Sequence, residues 1–192
     1  MKDVRSHPPA KPTKGELAAA VHKTVPDLIA PDLQILFCGI NPGLYTAAIG
    51  HHFGRPGNRF WPALHGAGFT PRLLQPWEEQ ELLGFGYGIT NMVPRTTATA
   101  AELAPEEYVE GGKRLAGLVT RYAPRVVAFL GIGAYRTAFG RPKAHLGLQT
   151  ETIGTTALWV LPSPSGLNAN HQLADQVALL QELRAWVGGM RV

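Results

Sequence analysis

Across residues 33–43 the chain reads Leu-Gln-Ile-Leu-Phe-Cys-Gly-Ile-Asn-Pro-Gly, an almost wholly apolar run that ends on one amide fenced by glycine and proline. A run of this length between turn residues suits a central strand covered on both faces. In open α/β sheets, ligands sit outside the carboxyl ends of such strands. Asn41 is therefore a site candidate. Asn-Pro also starts ordinary turns, so Asn41 alone does not separate a turn from a site.

The rest of the chain supplies partners for that strand. Further strands are expected over residues 88–93, 125–130 and 157–161, each a short apolar run. Helices are expected over 59–67, capped by Asn58, and over 77–83, 105–122, 134–139 and 172–187. Pro105 suits a first helical turn, and Glu106 and Glu107 sit at the positive end of that helix's dipole. In the last helix Leu173, Val177, Leu180, Leu183 and Trp186 form an inward stripe. Residues 44–57 read as a glycine-containing loop and 96–104 as an Ala/Thr connection. Strands alternating with helices give an α/β fold, a three-layer α/β/α single domain with a central, mostly parallel sheet.

At 192 residues the chain fits one domain, and its 45% hydrophobic content supports a sizeable core. Residues 1–28 read as a flexible, basic, proline-containing leader with one short helix over 15–22, and residues 29–192 as the functional domain. The net charge of +4 is divided evenly between the two: Lys2, Arg5, Lys11, Lys14 and Lys23 outnumber Asp3, Glu16 and Asp27 by two. No dense basic run occurs, so a polyanion would have to be engaged through a shaped site rather than by charge alone. The single cysteine, Cys38, lies within the strand and reads as a small buried hydrophobe in a reducing compartment. With neither a membrane-length apolar run nor a signal-peptide pattern, the expectation is an intracellular protein away from membranes.

Several motifs invite chemistry and lose it on inspection. Leu130-Gly-Ile-Gly-Ala-Tyr-Arg136 lacks the third glycine of a dinucleotide fingerprint and reads as a tight strand-to-helix turn. Ser165 lacks the flanks of a nucleophile elbow. His51 and His52 are adjacent, with no cysteine or carboxylate cluster nearby in sequence, so no metal is expected. What survives is a pair of strand ends, residues 39–43 and the run Pro-Ser-Pro-Ser-Gly-Leu-Asn at 162–168. In a parallel sheet both open onto one rim, and their prolines and glycines hold the backbone in fixed, close-approach conformations.

Four blocks in order resemble the uracil-DNA glycosylase superfamily, and most closely its mismatch-specific branch, related to thymine-DNA glycosylase. They are Phe-Cys-Gly-Ile-Asn-Pro-Gly-Leu at 37–44, Arg-Pro-Gly-Asn-Arg-Phe-Trp at 55–61, Gly-Ile-Thr-Asn at 88–91 and Trp-Val-Leu-Pro-Ser-Pro-Ser-Gly-Leu at 159–167. The resemblance spans residues 33–186. It implies that Asn41 positions the attacking water and that Phe53 stacks on the extruded base. It also implies that Gly43 leaves room where strict uracil enzymes carry a bulky residue, and that Gly166, Leu167 and Asn168 form a wedge entering the duplex. Ser163 stands where the branch usually has asparagine, and Ala169 where a neighbouring wedge arginine usually stands.

The implied reaction is hydrolysis of the N-glycosidic bond of uracil, or a related damaged or mispaired base, especially opposite guanine. Asn41 cannot accept a proton at neutral pH, so it can orient water but not act as a strong base. Catalysis must lean on donors aimed at the departing base, for which the amides around Ile40 and Phe53 and the Ser163 hydroxyl are candidates. The expected partner is double-stranded DNA containing uracil or a mismatch, handled by a monomer without metal or cofactor. Two other readings stay open, a non-catalytic nucleic-acid-binding module and a small-molecule nucleosidase.

Overall fold

The computed structural model describes residues 8–189. Residues 1–7, the start of the expected leader, lie outside the described residues. Five strands form one sheet in the order β2-β1-β3-β5-β4, where β1 is Ile35–Gly39, β2 Tyr87–Asn91, β3 Val126–Leu130, β4 Gly147–Ile153 and β5 Thr156–Leu161. All neighbouring pairs are parallel except β4 against β5. Every residue of β1 and β3 is buried, as expected of central strands covered on both faces.

One core cluster joins Phe37, Phe60, Leu64, Trp159 and Leu183, and the other joins Leu36, Val127, Phe129, Leu115 and Val119. Alternate residues of β1 feed the two clusters because successive strand side chains point to opposite faces. The helices that cover them are α3 (Phe60–Gly66) and α7 (Leu173–Gly189) on one side and α5 (Pro105–Tyr122) on the other. The layer order is thus the three-layer α/β/α arrangement the sequence predicts. No helix among the described residues is long and apolar enough to cross a membrane.

Four local expectations change. Residues 44–49, read as loop, form the short helix α2 (Leu44–Ile49), begun by Gly43 without a side-chain cap and closed by Gly50 in the left-handed region. The single helix expected over 77–83 is a 3₁₀ turn, Pro76–Glu78, followed by α4 (Glu81–Gly84). Strand β4 has no counterpart in the sequence reading, because as an antiparallel edge it alternates half-buried with exposed residues instead of carrying an apolar run. On α7 the inward stripe runs through Gln176, Leu180, Leu183 and Val187, while Leu173 is exposed.

The segment before β1 is packed. Helix α1 (Lys14–Ala19) starts at Thr13, whose hydroxyl accepts from the Glu16 amide while the Glu16 carboxylate accepts from the Thr13 amide. Ala20 and Val25 are buried against Ala47, and Leu28 bridges to Ile89 beside the sheet. The boundary expected at residue 28 falls inside this packing.

Helix α5 keeps the bounds predicted for it. The Glu107 carboxylate accepts from the Ala104 amide at 2.9 Å, and Ala123 ends the helix in the left-handed region just before Pro124. Its glycines are not equivalent. A Cβ on Gly111 would stand 2.3 Å from the Met92 carbonyl oxygen, whereas one on Gly117 would meet nothing within 4 Å. Gly111→Ala is expected to destabilise the fold by about 1–3 kcal/mol through overpacking. Gly117→Ala is expected to stabilise it by roughly 0.5–1 kcal/mol through helix propensity. Urea unfolding of both variants checks this; equal shifts of the same sign would contradict the packing described.

Candidate active site

Asn41 lies two residues beyond β1 on the rim where the strands end. Its Nδ2 donates to Thr97 Oγ1 at 2.7 Å and to the Arg95 carbonyl at 2.9 Å, with a longer contact of 3.3 Å to the Pro42 carbonyl. With the nitrogen edge tethered, Oδ1 occupies the opposite edge and remains an acceptor for a water hydrogen. The tether is itself anchored. Thr97 passes its hydroxyl proton to the Thr99 carbonyl at 2.8 Å, and the Arg95 guanidinium grips Glu107 through Nε and Nη2 at 2.7 and 2.9 Å. That fork, together with the Ala104 amide, holds the partly exposed Glu107 carboxyl down to about 2.

Beside Asn41 is a cleft of about 220 Å³. Ile40, Asn41, Gly43, Phe53, Ser163 and Leu167, all expected from sequence, line it together. At its floor a Cβ on Gly39 would stand 2.6 Å from Asn91 Oδ1 and 3.2 Å from the Phe53 ring. Below Ile40, Gly131 has φ +145 and would place a Cβ 3.0 Å from the isoleucine side chain, so the Gly-Ile-Gly run acts as a tight turn under the site. Arg136 of that run donates to the Ala144 carbonyl. Gly43 is the opposite case, since a Cβ there would meet nothing within 4 Å.

Phe53 holds its ring by an uncommon backbone, with φ at +53. Its neighbours explain how that conformation is kept. The Glu79 carboxylate accepts from the His52 amide at 2.8 Å and pairs with His51 Nδ1 at 3.1 Å. The Trp61 indole donates to the His52 carbonyl at 3.1 Å, and His52 Nε2 donates to the Pro26 carbonyl at 2.9 Å. The Phe53 ring then stacks on Phe60 with centroids 4.1 Å apart. The two histidines thus serve loop geometry, and among the described residues no group of three metal-binding side chains gathers.

Asn91, at the end of β2, lines the same cleft although the sequence reading assigned it no role. It is 6% exposed, and its carboxamide takes no hydrogen-bond partner among the described residues. Its backbone carbonyl accepts from Arg114 Nη1 at 3.1 Å, and Arg114 pairs through Nη2 with Asp27, which also accepts from Thr90 Oγ1 at 2.6 Å. A polar residue closing a second apolar strand next to β1 was the signal available. Cys38, one residue before Gly39, is buried and its thiol is pushed well above the ordinary range, chiefly by loss of solvent and then by Asp27.

The second strand-end loop follows β5. Leu167 is 75% exposed, while Gly166 lines a neighbouring cleft with Gly57 and Arg59. Asn168 lies off both walls: its Nδ2 donates to the Ser163 carbonyl at 3.0 Å and its Oδ1 accepts from the Asn170 amide. Ser163 Oγ accepts from the Ser165 amide at 3.4 Å, leaving its proton free to donate. Ser165 Oγ accepts from the Leu167 amide, a turn-closing role. A larger cleft of about 680 Å³ opens between Gln34, Phe69 and Arg184, but at the starting ends of β1 and β2, where no strand-end loops converge. The smaller cleft is the candidate site on that ground.

A sequence-family model described as the uracil DNA glycosylase superfamily matches residues 26–186. Among solved structures the chain is similar to a solution NMR structure of a uracil DNA glycosylase candidate from Methanosarcina acetivorans, at 20% identity and a TM-score of 0.55. That likeness covers 84% of this chain and 98% of the other.

The Arg95–Glu107 fork predicts a pH window. Because the Glu107 carboxyl is depressed in the folded state from 4.5 to about 2, its stabilising contribution is complete above about 4.5 and is lost as pH falls toward 2. The difference in melting temperature between wild type and Glu107→Gln should shrink steadily over that interval. A difference independent of pH would show that the fork does not hold the loop.

Proposed function

The chain belongs to the uracil DNA glycosylase superfamily, and from that footing we propose that it excises uracil, and mispaired or damaged relatives of it, from duplex DNA. The observation that carries the reading is the junction of a nitrogen-tethered Asn41 with a cleft into which the unpartnered Asn91 carboxamide faces. The glycosidic bond is hidden in a duplex, so the nucleotide must be turned out into the cleft at a cost of about a few kcal/mol, least for a mispaired base. A G:U pair thus selects itself in part.

Inside the cleft the extruded ring stacks on Phe53, whose own backing is Phe60. Asn41 Oδ1 accepts one hydrogen of a water and turns a lone pair toward C1′. As the C1′–N1 bond breaks, its electron pair leaves with the base and the water oxygen bonds C1′, its proton passing to solvent. Because Asn41 is no base, the step depends on the leaving group. Donors at the uracil oxygens stabilise the anion as it forms, each worth up to about 3 kcal/mol. The amides of Ile40 and Phe53, the Ser163 hydroxyl and the Asn91 amide are the groups that fill this role. Asn91 can also accept, so it can match a pyrimidine edge offering both a carbonyl and an N–H. Leu167, at the tip of an exposed loop, fills the vacated stack as other apolar wedges do, with Gly166 and Asn168 shaping the loop.

Three measurements test this. Incubation with a uracil-containing duplex followed by alkali should break the strand at uracil, faster opposite guanine than adenine. Asn41→Ala should slow excision by roughly 10²-fold or more while leaving DNA binding within a few-fold; wild-type rates in that variant would remove Asn41 from the mechanism. Gly43→Tyr, whose Cβ has open space, should fold normally and narrow the cleft. Its preference for uracil over bases substituted at C5 should rise by about tenfold or more, since a clash discriminates better than a lost contact. An equal loss on both bases would contradict the gate.

A further inference from the structure

The proposed insertion loop raises a mechanical question. A leucine that displaces a base must be held by a stiff support, or the unstacking cost is relieved by bending the loop instead of opening the duplex. Residues 163–172 have no helix or strand and are rich in serine, glycine and asparagine, a composition that supplies little stiffness of its own.

The stiffness comes from across the cleft. Arg59 precedes α3, and its Nη1 lies 3.2, 2.8 and 3.0 Å from the carbonyl oxygens of Ser165, Asn168 and His171. Its Nη2 lies 3.3 Å from the Gly166 carbonyl and 3.0 Å from Gln172 Oε1, and its backbone amide donates to the Pro164 carbonyl at 2.8 Å. Both residues flanking Leu167 therefore give their carbonyls to one guanidinium. Gly166 also presses on the loop before α3, where its Cβ would stand 2.6 Å from the Gly57 carbonyl oxygen. From the other side Gln176, buried on α7, donates to the carbonyls of Ser163 and His171.

We propose that Arg59 is the positioning residue of the insertion loop, clamping the carbonyls on both sides of Leu167 so that the leucine stands rigidly toward the duplex. The chemistry asks for arginine. A planar fork of five donors can reach several carbonyls at once, whereas a lysine ammonium offers three donors from a single point. Among the described residues no carboxylate pairs with Arg59, so its donors are committed to peptide carbonyls and the Gln172 side-chain amide and not to an ion pair.

The proposal rests on the insertion-loop reading, and its test separates the two. Excision from duplex and from single-stranded DNA is measured for wild type, Arg59→Lys, Arg59→Gln, Leu167→Ala and the Arg59→Gln/Leu167→Ala pair, with melting temperature alongside. The duplex-to-single-strand rate ratio should fall at least tenfold in both Arg59 variants, and no further when Leu167→Ala is added to Arg59→Gln. Retention of the ratio by either variant, or multiplication of the two losses in the double variant, overturns the clamp. A direct phosphate contact would instead weaken both substrates alike and make the salt dependence of binding shallower by about one charge, which also overturns it. Amide hydrogen exchange at Leu167 and Asn168 supplies a readout that needs no activity. Faster exchange in Arg59→Gln, with α7 unchanged, supports the clamp even if uracil is not the substrate; unchanged exchange rejects it whatever the substrate.

Discussion

The site is built around a contact that tolerates no side chain. At Gly39 the backbone of β1 runs so close beneath Asn91 and Phe53 that a single methyl group would stand 2.6 Å from one and 3.2 Å from the other. These two residues come from different parts of the chain, one ending β2 and one held in a left-handed turn. Their meeting over the glycine gives the cleft a floor and a wall at once. The parallel pairing of β1 with β2 sets the distance, with Gly39 aligned to Asn91. Ile40 and Asn41 then follow in fixed relation, because the next amides along, those of Met92 and Val93, donate to the carbonyls of Gly39 and Ile40.

Around that floor, most strong polar interactions are spent on loops. Glu79 holds the turn before Phe53, Glu107 the loop behind Asn41 through Arg95, and Arg114 the end of β2. The carboxamides of Asn41 and Asn91 are treated differently. Asn41 has its nitrogen occupied and its oxygen left over, while Asn91 keeps both ends available. Preorganised groups of this kind need no rearrangement when charge develops, which gives a site without a strong base its leverage.

Much of this was legible in the chain. The all-apolar β1 and β3 announced a sheet covered on both faces, and Pro105 with its following glutamates marked the start of α5. Asn41, Gly43, Phe53, Ser163 and Leu167 stand out by their strand-end loops and the family resemblance, and the fold brings them to one cleft. What escaped shares a physical cause. Strand β4 is half solvent-facing and antiparallel, α2 lacks a side-chain cap, and Gln176 is a polar residue inside an apolar stripe. Asn91 reads as an interior residue of a strand over 88–93 and Arg59 as the first of a helix, and only three-dimensional proximity reveals what their side chains reach. Hydrophobic periodicity reports what is buried, not where a guanidinium points.

Residues 23–28 lie outside the five strands and do not line the cleft, yet they bond to the segments behind three of its sides. The Lys23 carbonyl accepts from Thr96 Oγ1, the Pro26 carbonyl from His52 and the Asp27 carboxylate from Thr90 and Arg114. A thread that runs behind separate loops ties them to one another. Should this segment lift away, its bonds to Thr96, His52, Thr90 and Arg114 are lost together, while Glu79, Trp61 and the Arg95–Glu107 fork still hold two of those loops. One short segment thus braces loops that lie as far apart along the chain as His52 and Arg114.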